Sequence, residues 1–321
     1  MFCKAGEDME KKEEFIKIFA PKLRHIFIQA DIDYGELQEI RLRVNRPLMV
    51  IYKNTEYGID SYGRLLKKGA ENQAVIVTPE DIKETMALVS NYSLYAYEDE
   101  IRQGYITIKG GHRVGIAGKT VLENERVKTI QYISFMNIRL SYQVKGCANQ
   151  VLPYIINEGR LCHTLIISPP CCGKTTMLRD IIRQVSESGQ SVGVVDERSE
   201  IAACYLGIPQ NELGIRTDVL DGCPKAHGMI MMLRSMSPQV IAVDEIGSQE
   251  DMRAIAYVIN CGCKLLATVH GNSVSDLMSK PVLSRLVREK VFERYIVLNN
   301  HGRIGNIEAI YNEFGTNLCF H

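Results

Sequence analysis

Residues 168–176 read SPPCCGKTT, a glycine-lysine-threonine run on a short turn, and that order of residue types suits the handling of phosphate. Lys174 offers an ammonium group to the β- and γ-phosphates of a nucleotide, and the Thr175 hydroxyl is a magnesium ligand. The backbone amides from Cys172 through Gly173 to Thr176 can wrap phosphate oxygens. The first position of the glycine-rich motif holds Ser168 in place of glycine. Serine is tolerated there if its φ is negative, because Pro169 and Pro170 already stiffen the turn and the phosphates are held by later amides and Lys174. Seventy residues after Lys174, the run VIAVDEIG ends in two adjacent carboxylates. Asp244 is assigned to the magnesium shell and Glu245 to the water that attacks the γ-phosphate. Two further polar clusters follow apolar runs: Asp196, Glu197 and Arg198 in VVDERSE, and His270 in ATVHGNS. His270 is taken as a site residue, whereas the Asp196 cluster is either part of the site or a solvated turn. The chemistry these residues suit is magnesium-dependent hydrolysis of ATP to ADP and phosphate.

Such residues work only if secondary structure brings them together. TLIIS (164–168), SVGVVD (191–196), VIAVD (240–244) and KLLATVH (264–270) are short, almost uniformly apolar runs separated by helical stretches. A parallel sheet buried on both faces demands this pattern, and its binding site lies outside the carboxyl ends of the strands. The helix KTTMLRDIIRQV buries Met177, Leu178, Ile181, Ile182 and Val185, so the loop at 168–176 sits between a strand and a helix N-terminus. The first half reads differently. A helix is expected over 8–29, with Pro21 as a break, followed by strands at LQEIRLRV (37–44) and PLMVIYK. Thr78-Pro79-Glu80-Asp81 starts another helix, and residues 104–120 form a hairpin around Gly110-Gly111. The linker is placed at KGCANQ (145–150), giving an amino-terminal α+β domain over 1–147 and a nucleotide domain over 148–321.

Composition narrows the class. Lysine plus arginine equals aspartate plus glutamate at 38 each, which removes the basic field that general nucleic-acid binders carry. The polar, acidic start shows no signal peptide, and no apolar run approaches the roughly 20 residues of a membrane span, so a cytoplasmic, soluble protein is expected. The ten cysteines form no C-x-x-C pair and are expected to be reduced, mostly buried thiols.

In their order, SPPCCGKTT, VVDERSE, VIAVDEIG and ATVHGNS resemble the phosphate loop, Asp box, Walker B strand and His box of the secretion-ATPase superfamily, the motors of type II and type IV secretion and of type IV pili. More closely, EIRLRVNRPL, GGHRVGIAGK, FMNIRL and GIRTDVLDGCPKAHGMIMMLRSMSP, together with those motifs, resemble the stage III sporulation protein AA family across residues 35–310. The resemblance implies an α/β fold, a RecA-like P-loop NTPase domain with a predominantly parallel sheet preceded by a smaller mixed α+β domain. It also implies ATP and Mg2+ as cofactors and a homo-hexamer. The hexamer is expected to dock on membrane channel proteins linking mother cell and forespore, and to lie on the mother-cell side. In such motors arginines from the amino-terminal domain complete the site between protomers. Arg113 and Arg139 are the candidates here, with Arg198, Arg216 and Arg234 behind them. Ser168 departs from the family's glycine. A nucleic-acid-acting RecA-like ATPase is the alternative. A small-molecule kinase is disfavoured because Asp244, Glu245 and His270 suit hydrolysis.

Overall fold

Alternation of apolar and polar residues shapes the first half of the chain, and unbroken apolar runs shape the second. The computed structural model describes residues 12–170, 172–299 and 305–319, and the chain divides into two units, Met1–Tyr142 and Gln143–His321.

In the first unit, β1 (Leu37–Arg43), β2 (Met49–Tyr52), β3 (Thr55–Ile59), β4 (Leu65–Leu66), β5 (Tyr105–Ile108), β6 (His112–Glu123) and β7 (Arg126–Arg139) form an antiparallel sheet. Its order is β4-β3-β2-β1-β7-β6-β5. Because side chains alternate along a strand, Ile40, Leu42, Val114, Ile116, Met136 and Ile138 share one buried face while Glu39, Arg41, Arg113, Asn137 and Arg139 share the other. Helices α1 (Pro21–Gln29), α2 (Pro79–Val89) and the short α3 (Glu98–Gln103) complete the unit, and α2 and α3 pack on β7. The Thr78 hydroxyl and the Asp81 carboxylate cap α2 reciprocally, as its sequence requires. The break expected at Pro21 is present: within the described residues 12–16 are helical, and α1 begins afresh at Pro21, whose missing N–H costs nothing in a first turn. Residues 8–11 lie outside the described residues.

In the second unit, α4 (Leu152–Ile155) and the hairpin β8 (Ile156–Asn157) and β9 (Arg160–Leu161) lead into β10 (Thr164–Ser168). There follow α5 (Lys174–Glu187), β11 (Val192–Asp196), β12 (Thr217–Asp221), α6 (Lys225–Met236), β13 (Val240–Val243), α7 (Gln249–Asn260) and β14 (Lys264–His270). Helices α8 (Val274–Ser279) and α9 (Pro281–Arg288) precede β15 (Arg294–Asn299) and β16 (Asn306–Asn312). The sheet order is β12-β11-β13-β14-β10-β15-β16, parallel throughout except for β16. Every residue of β10, β11 and β13 is buried, because helices cover both faces. Ile166, Val194, Ala242 and Leu266 pack with Met177, Leu178, Ile181 and Val185 of α5 on one side. On the other, Ile167, Val195, Val243 and Ala267 meet Met229 and Met232 of α6 and Ile255 and Val258 of α7. Gly228 lets α6 approach the sheet, since a Cβ there would lie 2.3 Å from Val195 Cγ1. That contact offsets the roughly 1 kcal/mol a glycine costs inside a helix. Among the described residues no helix is long and apolar enough to cross a membrane. The described cysteines are free thiols: Cys162, Cys172, Cys204 and Cys263 are buried, Cys147, Cys223 and Cys319 partly so, and Cys261 is exposed.

Partial burial keeps a histidine neutral in each unit, His112 in the first and His163 in the second. Burial pushes His112 down to about 4, where its Nδ1 accepts the Ser141 N–H. Burial and the Lys264 charge, against the opposing Glu293, push His163 down to about 4, where its Nδ1 accepts the Leu265 N–H. A depressed folded value means the unfolded chain takes up protons first, so this stability is present above pH 6.5 and is lost as pH falls towards 4. The expected loss at His112 is up to about 3 kcal/mol, and less at the wetter His163. Thermal melts across this range should show the midpoint falling, and His112→Asn and His163→Asn should flatten the fall; a midpoint flat between pH 6.5 and 4 contradicts it.

Candidate functional site

Parallel strands place their last residues along one edge, and there the polar residues of the second unit gather. Ser168 ends β10 beside His270 at the end of β14, while Asp196 ends β11, and Asp244 and Glu245 follow β13 directly. Ser168 is fully buried in extended backbone, with its hydroxyl donating to the Pro169 carbonyl at 2.8 Å. The strand therefore supplies what a glycine was expected to supply, with no left-handed turn at this position. The turn instead reverses at Gly173, whose φ of +82° makes it the residue preceding α5. Cys172 is buried and its thiol donates to the Pro170 carbonyl at 3.4 Å, so it offers the site only backbone. Unlike α2 and α7, each closed by a reciprocal cap, α5 has no side-chain cap and no acid in its first turn. Its leading amides, those of Lys174, Thr175 and Thr176, carry the partial positive charge of the helix end.

Lys174 is 6% exposed, and its Nζ donates to Glu245 Oε1 at 2.9 Å and lies 3.3 Å from His270 Nε2. His270 Nε2 is also 2.7 Å from Glu245 Oε1, and Arg198 Nη1 approaches the other oxygen, Oε2, at 3.3 Å. Burial alone raises the Glu245 carboxyl, but the hydrogen bond and charge of Lys174, joined by His270, outweigh it and hold Glu245 below its ordinary value. Glu245 stands at φ +53°, a strained position for a residue with a Cβ. The Thr175 hydroxyl donates to Asp244 Oδ2 at 2.9 Å. A hydroxyl and a carboxylate side by side are hard oxygen donors, which fit Mg2+, an ion that draws its remaining ligands from phosphates and water. A cleft of about 380 Å3 lined by Glu197, Lys225, His227 and Ser248 opens on Glu245.

The acidic cluster after β11 is not a solvated turn. Asp196 is 2% exposed, and its carboxylate accepts the backbone N–H groups of Glu200, Ile201 and Ala202 at 2.8–2.9 Å. Burial raises its pKa against those three bonds. Asp196 thus shapes the loop that presents Arg198 to Glu245, and Glu197 pairs with Lys225. Arg179, which no spacing argument singled out, is buried in α5 and donates to the carbonyls of Glu200 and Ile201, bracing the same loop. Thr268 was also missed; its hydroxyl donates to Asp244 Oδ1 and accepts the Glu245 N–H at 2.9 Å. The signal for it was one hydroxyl within the apolar run KLLATVH. Arg216 donates to the Ser186 carbonyl and Arg234 lies over the Tyr257 ring. Arg113 and Arg139 belong to the first unit, where they stand opposite each other across β6 and β7, Arg113 4.0 Å above the Tyr105 ring and Arg139 beside Glu39.

Comparison with known proteins gives this geometry a lineage. The family described as sporulation stage III, protein AA, matches residues 9–318. Stage III sporulation protein AA of Bacillus subtilis (strain 168) is 43% identical over 288 residues, 88% of this chain and 89% of that protein. Protein SEEDLING PLASTID DEVELOPMENT 1 of Arabidopsis thaliana is 26% identical over 214 residues, 66% of this chain but 28% of that protein. Among solved structures, the Legionella pneumophila ATPase DotB superposes with a TM-score of 0.52 at 17% identity, covering 86% of this chain and 74% of that one. The pilus retraction motor PilT with bound ADP gives 0.53 at 12% identity, covering 81% and 73%. These last two are likenesses of fold alone: a mixed α/β architecture shared with DotB and PilT.

Proposed function

The chain belongs to the sporulation stage III, protein AA family, and from that membership we propose that it is an ATP-hydrolysing motor subunit. Its second unit is read as a RecA-like P-loop domain. Six copies form the working ring on the mother-cell side of the envelope, bound peripherally to membrane channel proteins between mother cell and forespore and powering assembly of, or transport through, that channel. One observation carries the catalytic reading: Lys174, Thr175, Asp244, Glu245 and His270 converge within hydrogen-bond reach at the carboxyl edge of a parallel sheet.

Roles follow from chemistry. Lys174 and the leading amides of α5 bind the β- and γ-phosphates, with Ser168 and Cys172 shaping the loop that carries Gly173 to Thr176. Mg2+ held by Thr175 and Asp244 would neutralise phosphate charge and fix the geometry of the triphosphate. Glu245 orients the attacking water and accepts its proton, and His270, on the same carboxylate oxygen, reports the γ-phosphate to that base. Arg113 and Arg139 are the candidates to reach a neighbouring protomer's phosphates. A guanidinium suits developing phosphate charge, which is what such a role requires.

Native mass measurement with ATP and magnesium is expected to give six copies, and phosphate release per chain is expected to rise as the ring assembles. A strictly monomeric protein at every concentration contradicts the motor.

A further inference from the structure

Thr268 lies mid-strand in β14, between Ala267 and Val269, and its side chain is fully buried. A hydroxyl in a sheet covered on both faces is costly unless hydrogen-bonded, and an apolar residue fits such a place without that demand. Here the hydroxyl is used twice. It donates to Asp244 Oδ1, leaving Oδ2 to the Thr175 hydroxyl at 2.9 Å, and it accepts the Glu245 N–H at 2.9 Å. The Thr268 carbonyl then accepts the Ile246 N–H, also at 2.9 Å. One residue thereby turns the Asp244 carboxylate towards Thr175 and pins the backbone on both sides of Glu245. Glu245 needs such pinning, because its φ of +53° persists only where the surroundings enforce it.

We infer that Thr268 is a positioning residue for both acids of the site, setting the carboxylate of Asp244 for the metal and the backbone of Glu245 for the water. The inference rests on the ATPase reading above. Its chemistry separates it from a packing role: removing the hydroxyl while keeping the shape should disturb metal-dependent steps and leave metal-free contacts with phosphate intact, since those come from Lys174 and the amides of α5.

The test compares the full chain with Thr268→Val, Thr268→Ala and Thr268→Ser by steady-state ATP hydrolysis and by binding of a fluorescent ATP analogue, with EDTA and across a magnesium titration. Loss of the hydroxyl in the valine and alanine variants is expected to lower kcat about 10- to 100-fold and to raise the half-saturating magnesium several-fold. Affinity in EDTA should stay within about threefold of the parent, and serine should restore kcat to within about fivefold. Because valine keeps the shape and alanine adds no bulk, a folding failure of one leaves the other to decide. Parent-like kcat and magnesium requirement in the hydroxyl-free variants overturn the inference, as does an equal loss of affinity in EDTA, the mark of a packing role. A parent that neither binds nor hydrolyses ATP overturns the function and this inference with it, whereas an active parent beside unchanged variants overturns the inference alone.

Discussion

Lys174→Ala is expected to reduce ATP hydrolysis to about a thousandth of the parent rate or less, and to weaken nucleotide binding by about two orders of magnitude. The size follows from burial. Lys174 is 6% exposed, so its ammonium acts from a partly dehydrated position at the head of α5, where nothing else in the first turn carries charge. The loss is not a folding effect. Removing a buried ammonium also removes its desolvation cost, and the Glu245 left behind keeps His270 and Arg198 as partners, so the melting temperature should move by only a few degrees in either direction. The substitution also relieves the strongest influence holding the Glu245 carboxyl below its ordinary value, so that group should titrate at higher pH in the variant. Phosphate release, analogue binding and a thermal melt together decide the matter. A variant that hydrolyses ATP at the parent rate removes Lys174 from the chemistry and the ATPase reading with it.

Sequence pattern reached four of the seven strands in the sheet of the second unit, β10, β11, β13 and β14, because these are buried on both faces and such strands have little choice but to be apolar; β12, β15 and β16 went unread. TLIIS, VGVVD, VIAV and KLLATVH announce themselves, and the polar residues that end them are conspicuous by contrast. The same logic made Ser168 look doubtful, since a motif is read by residue type. In three dimensions Ser168 is the last strand residue and the reversal falls to Gly173. What pattern did not reach was set by tertiary contacts. The bonds of Asp196 to three amides, of Arg179 to two carbonyls and of Thr268 to both acids have no periodicity to betray them. The hairpin expected around Gly110-Gly111 is that of β5 and β6, whereas pattern did not reach the longer hairpin of β6 and β7. Its tip turns through Asn124 and Glu125, both at positive φ, where a glutamate hides the usual asparagine-glycine signal, and its outer strands are exposed on both sides.

Glu245→Gln separates binding from chemistry, and the expected result has two parts of opposite sign. Hydrolysis should fall about 10²- to 10⁴-fold, because glutamine keeps the shape and the φ of +53° but cannot take a proton from water. Nucleotide binding should hold or tighten. In the parent, Glu245 Oε1 accepts from Lys174 Nζ at 2.9 Å, so a phosphate oxygen must displace a carboxylate to reach that ammonium. A neutral amide competes less well, and Lys174 passes more readily to the phosphates. The pH dependence follows the same charges. Burial pushes the Glu245 carboxyl up, Lys174 and His270 push it further down, and the net value lies below the ordinary one. The base of the nucleotide-free parent is therefore ionised throughout the neutral range, and the acid limb of its kcat/KM should fall below the usual glutamate range; the glutamine variant should lack that limb. Single-turnover hydrolysis and analogue binding across pH measure both parts. Parent-like hydrolysis in the variant, or binding weakened as much as in Lys174→Ala, would place the proton acceptor elsewhere and leave Glu245 as a structural partner of Lys174.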